Sequence, residues 1–148
     1  MTTSLNTKLG AKADHEIGTW VPALTSSGST FSYSNRSGSY IKTGKWVTVT
    51  GKISLNASGN TFAANPVYLS GLPYAVHNEG SGEAAVAAAV HYNVATAMLS
   101  ILLLANNGGA SAILYKVTAG YTGSPATLNG NDIANSFLLH FTFTYRAA

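Results

Sequence analysis

The sequence predicts an all-β protein, a sandwich or barrel of about eight antiparallel strands behind a short N-terminal arm. Three observations carry the prediction. Apolar residues recur with a period of two through most of the chain after Gly18. The alternating runs are rich in Val, Ile, Thr, Phe and Tyr, which fit a pleated, half-buried surface. Clusters of Gly, Asn, Ser and Asp interrupt the runs where turns are needed.

Residues 1–17 read as the arm. Leu5, Leu9 and Ala13 are spaced four apart, enough for a turn or two of helix that would not hold alone in water. Leu5, Leu9 and Lys12 are the arm's candidate contacts with a neighbouring chain. The domain is then 18–148, with strands expected near 19–24, 29–41, 45–55, 66–70, 84–94, 97–105, 111–118 and 135–146.

The alternation is clearest in two of these. In 46–55, Val47, Val49, Ile53 and Leu55 share one face, against Trp46, Thr48, Thr50, Lys52 and Ser54. In 136–146, Phe137, Leu139, Phe141, Phe143 and Tyr145 oppose Ser136, His140, Thr142, Thr144 and Arg146. Asn107-Gly108, between two apolar runs, is a hairpin signal. The run 84–94 is ambiguous. Its alanines favour a helix by propensity, whereas His91-Tyr92-Asn93-Val94 and the surrounding strands favour a strand.

The run 97–105 is apolar on both faces, and the preceding run has one bulky face and one small one. A face of that kind left in water would aggregate, so it is expected to meet a second copy of the chain. Ala85, Ala87, Ala89, His91, Met98, Leu102 and Leu104 are the candidate interface residues. A membrane span is not expected, because a spanning helix needs ~20 apolar residues. Here only Leu99 to Ala105 is continuously apolar, apart from Ser100.

Composition excludes several function classes. Charged residues make up 9% of the chain, against ~25% in ordinary domains. The eight Lys and Arg are scattered, so the net charge of +3 makes no stripe for nucleic acid. No cysteine is present, which removes disulfides and thiolate metal sites. No two of the four histidines have metal-ligand spacing, and neither metal nor cofactor is expected. Among the five acids, Glu79 and Glu83 could pair as in a glycosidase, but they read better as loop acids beside glycines. No Gly-x-Ser-x-Gly elbow occurs. Asn35-Arg36-Ser37 and Asn56-Ala57-Ser58 fit the glycosylation pattern but read as turns, because residues 1–16 lack a secretory apolar region. A non-enzymatic protein kept in a cytoplasm until assembly is the expectation.

Three stretches carry a resemblance. They are Gly18-Thr19-Trp20-Val21-Pro22, then the run Tyr40-Ile41-Lys42-Thr43-Gly44-Lys45-Trp46-Val47-Thr48-Val49-Thr50-Gly51, then Gly71-Leu72-Pro73-Tyr74. In this order they resemble small β-sandwich domains of tailed-bacteriophage virion proteins, those of tail-fibre tips and capsid decoration proteins. The closing Phe141–Arg146 run is similar too, while 76–135 carries no such likeness. The resemblance implies a jelly-roll-like fold, a homotrimer and a place in the virion. The expected role is a capsid decoration or cement protein contacting the major capsid protein. The alternative is a receptor-binding knob of a tail appendage, held to a tail protein and touching a host surface glycan. Tyr33, Tyr74 and Tyr121 are the candidate glycan contacts.

Overall fold

Alternation decides the architecture, because each long period-two run can bury only one face and must pair along both edges. The computed structural model describes residues 15–78, 86–120 and 122–148. Among them lie ten strands: β1 (His15–Trp20), β2 (Ala23–Thr25), β3 (Tyr33–Thr43), β4 (Trp46–Leu55), β5 (Tyr68–Ser70), β6 (Val86–Val94), β7 (Ser100–Ala105), β8 (Ser111–Val117), β9 (Ala126–Thr127) and β10 (Ile133–Arg146). A single 3-10 turn, Gly130–Asp132, precedes β10. No α-helix occurs among the described residues, so none is long and apolar enough to cross a membrane.

Every pairing is antiparallel, and the order is β1-β3-β4-β10-β6-β7-β8-β5-β2, with β9 added to β8. The opposite edges, β1 and β2, are separated in sequence only by Val21 and Pro22. The sheet must therefore curl until its edges meet, which gives the sandwich-like, jelly-roll-like body that the sequence predicts. Pro22 explains why the expected strand 19–24 is two strands: it has no N–H to donate to a ladder. Strand β1 also starts at His15, so residues 15–17 belong to the sheet and not to the arm. The two-residue β9 has no signature in the sequence. Tyr33 closes the seam from the β3 side: its hydroxyl accepts from Leu24 N (2.9 Å) and donates to Leu24 O (3.1 Å) on β2. Burial raises the Tyr33 phenol above its ordinary pKa, and its bonds to Leu24 and Arg36 oppose the shift.

The alanine-rich run is a strand. β6 pairs with β10 on one side and β7 on the other, which satisfies its backbone on both edges and overrides alanine's helix propensity. A bulge follows: Asn93 and Ser136 both have positive φ, and Asn93 Nδ2 donates to Ser136 O at 2.8 Å.

The inner face holds the core. Val47, Val49, Ile53, Leu69, Ile101, Leu103, Leu114, Phe137 and Leu139 are all fully buried. Three glycines leave room there for rings. The ring of Trp20 lies over Gly38, that of Tyr40 over Gly18 and that of Phe141 over Gly51, each from the directly opposed residue on the neighbouring strand. An aromatic series runs Trp20–Phe141–Phe143–Tyr145, with centroids 6.0, 6.2 and 5.7 Å apart.

Tyr145 ends the series. Its buried hydroxyl donates to Tyr74 O at 3.0 Å, and burial pushes its pKa up to about 12 from 10.0. A pKa raised in the fold gives stability that is complete below pH 10 and is lost as pH rises through about 12. Urea unfolding between pH 9 and 12 should thus show the wild type losing about 2–3 kcal/mol more than Tyr145→Phe. Parallel pH profiles for the two proteins would refute this.

Candidate functional site

Antiparallel register places opposed side chains on one face, so the polar halves of β3, β4 and β10 form a shared outer surface. One row runs Ser37–Lys52–His140–Val90 across β3, β4, β10 and β6. The next carries Ser39, Thr50 and Thr142. These side chains are short, whereas exposed Ile41 and Trp46 stand beyond them at one end of the strands and Tyr92 at the other. The result is an open groove of about 730 Å³, lined by Ser37, Ser39, Thr50, Lys52, His140 and Thr142 with Ala88 and Val90 along one side. Gly38, Gly51 and Phe141 complete the lining. The volume lies within the ~300–1,000 Å³ of small-molecule sites.

The groove combines hydroxyls with apolar surface. Ser39 Oγ and Thr50 Oγ1 are hydrogen-bonded at 2.7 Å, and Thr48 and Thr144 are joined in the same way one row on. Such a surface can bind hydroxyl-rich ligands through donors that are also acceptors. No carboxylate lines it among the described residues. No group of three or more metal-ligating side chains occurs among the described residues.

The candidate residues fall in different places. Leu5, Leu9, Lys12, Ala85 and Tyr121, with the acids Glu79 and Glu83, lie outside the described residues. Ala89 is buried opposite Phe141, Ala87 packs on the core, and half-buried His91 faces inward opposite Leu139. Met98 also packs against the core. The expectation that these four form one surface with Leu102 and Leu104 is corrected, because those two leucines alternate to the outer face. The residues that join them there are Val86 and Ala88, their direct partners on β6.

Tyr33 and Tyr74 both have their hydroxyls engaged within the chain. Tyr74 and Tyr40 donate to the two oxygens of Glu16, each at 2.5 Å, and their rings meet edge-on at 5.7 Å. The bond to Glu16 is the main cause raising both phenols above their ordinary pKa. Lys42 Nζ stands 5.5 Å from the Tyr74 ring. This cluster ties edge strand β1 to the 72–76 segment and so serves the fold. Sequence reasoning missed the groove itself, although it had already assigned Thr50, Lys52, His140 and Thr142 to outward faces.

No protein-family model matches the chain, and no curated protein sequence matches it. Its fold is similar to part of the crystal structure of the Dettilon tailspike protein (gp208). The two align with a TM-score of 0.74 at 10% sequence identity, over 90% of this chain and 24% of that one. This chain therefore spans about a quarter of the tailspike's length, and what the two share is the fold: a curled antiparallel β-domain that also occurs as a segment of a phage tailspike.

Proposed function

We propose that this chain is a host-contacting module of a bacteriophage tail appendage, and that it binds a surface glycan in the outer groove without cleaving it. The observation that carries the reading is the fold likeness to a tailspike segment across 90% of the chain. It supports the tail-appendage reading over capsid decoration, for which no finding speaks. The hydroxyl-lined groove supports glycan contact at Ser39, Thr50 and Thr142 in place of the tyrosines. Among the described residues the groove offers hydroxyls, an ammonium and an imidazole for holding a ligand.

Copies would associate as a homotrimer through the outer band of β6 and β7. Val86 is 63% exposed there beside Leu104, at the end of the band away from the groove-lining Ala88 and Val90.

Labelled protein should bind host cells and immobilised host surface polysaccharide. Ser39→Tyr, which fills the groove from an exposed position, should weaken binding at least tenfold with an unchanged melting temperature. Immunogold should mark the tail of the particle, and sedimentation should give a trimer. Failure to bind any host polysaccharide, or equal binding by Ser39→Tyr, would overturn the glycan reading. Gold over the whole shell would restore the capsid reading, and a soluble monomer at micromolar concentration would remove the trimer.

A further inference from the structure

The groove carries positive charge that no acid of the described residues balances. Lys52 and His140 are direct cross-strand partners within it, with Ser37 beside Lys52 on the opposite flank. The described residues include only two side-chain carboxylates, and both are engaged elsewhere. Glu16 accepts from Tyr40 and Tyr74. Asp132 holds Lys116 at 2.7 Å. Lys52 is half-buried on the floor of this open groove, with its ammonium free of any ion pair among the described residues. Such a group favours an anion, and the imidazole of His140 adds an N–H donor next to it.

The remaining lining fixes what kind of anion fits. Ser39, Thr50 and Thr142 offer hydroxyls one row away from Lys52, which is about 7 Å along a strand. That spacing suits a single sugar ring with a carboxylate at one end and hydroxyls at the other. Ala88 and Val90 supply an apolar flank for the C–H face of the ring. A phosphate or sulfate would gain the charge but leave the hydroxyl row and the apolar flank unused.

We infer that the groove selects a carboxylate-bearing sugar, a uronic acid or similar acidic residue of a surface polysaccharide, with Lys52 and His140 holding the carboxylate. This rests on the glycan reading and narrows it to one substrate class.

The test uses the full chain and two matched probes: oligosaccharides containing glucuronate or galacturonate, and the same oligosaccharides with their carboxyl groups chemically reduced to alcohols. Titration calorimetry should show the acidic form binding at least tenfold more tightly. Lys52→Met should lose that preference while retaining weak binding to both forms, and Lys52→Arg should keep most of it. Melting temperatures control for folding. Equal affinity for the acidic and reduced forms overturns the inference and leaves the glycan reading in place. Preference unchanged in Lys52→Met also overturns it, because the charge would then lie elsewhere. Binding to neither form, while an unrelated neutral host glycan still competes with Ser39→Tyr sensitivity, overturns the inference alone. Binding to no glycan overturns both.

Discussion

Replacing Lys116 by alanine is expected to cost about 3–5 kcal/mol of stability, because it strips a buried carboxylate of its cation. Lys116 Nζ lies 2.7 Å from both oxygens of Asp132, whose side chain is 5% exposed. Asp132 also accepts from Asn129 N at 2.9 Å, and its backbone carbonyl takes Ala95 N, so one residue joins β8, the 3-10 turn and the segment after β6. Burial by itself would raise the Asp132 pKa, but the bonds from Lys116 and Asn129 outweigh it and hold the carboxyl below its usual 3.8. A depressed folded pKa gives stability that is complete above the ordinary value and is lost as pH falls through the folded one. The gap between wild type and Lys116→Ala should thus be widest near neutral pH and close as pH falls below 3.8. Urea midpoints across that range check it. The double variant Lys116→Met, Asp132→Asn should recover much of the loss, since it removes both charges and keeps an acceptor for Asn129 N. A single variant within 1 kcal/mol of wild type would show that the pair is solvated.

Trp20→Ala should cost a similar ~3–5 kcal/mol, the range for a buried tryptophan. The ring is 7% exposed, stands edge-on to Phe141 at 6.0 Å, and covers the bare backbone of Gly38. Its Nε1 reaches over β3 to donate to Thr50 O at 3.1 Å. Truncation opens a cavity that the directly opposed position cannot fill, because Gly38 carries no Cβ. A fall in Tm of roughly 10 °C or more is expected for a domain of this size. Amide exchange should accelerate first in β1, the edge strand that Trp20 anchors. Groove binding should weaken as well, since Gly38 and Gly51 line it. A loss under ~1 kcal/mol with β1 still protected would mean that the ladder to β3 alone secures the edge.

The strands were legible where one face is apolar and the other polar. β4 and β10 lie within a residue or two of their expected bounds for that reason. Their partnership was not legible: Thr48 and Thr144 are 96 positions apart, and alternation says nothing about which strand lies beside which. The groove depends on that pairing, so its residues could be placed on outward faces but not brought together. Small size misled the reading of Ala87 and Ala89. In a strand, a small face meets whatever is bulky opposite it, and here that is the ring of Phe141 and the buried Ile101 and Leu103 inside. Tyr33 and Tyr74 had no local signal of their bonding, because their partners Leu24 and Glu16 come from the sheet's two edges.

The register of β1, β3, β4 and β10 aligns His15, Thr43, Trp46 and Arg146 in one row. The polypeptide thus comes into the sheet and leaves it at the same pole, three strand widths or ~15 Å apart. A body built this way can be grafted into a surface loop of an unrelated carrier without stretching it. It should also tolerate circular permutation, with residues 15 and 148 bridged by a flexible linker, which keeps buried Ala147, and new ends opened at the Asn106–Gly109 turn.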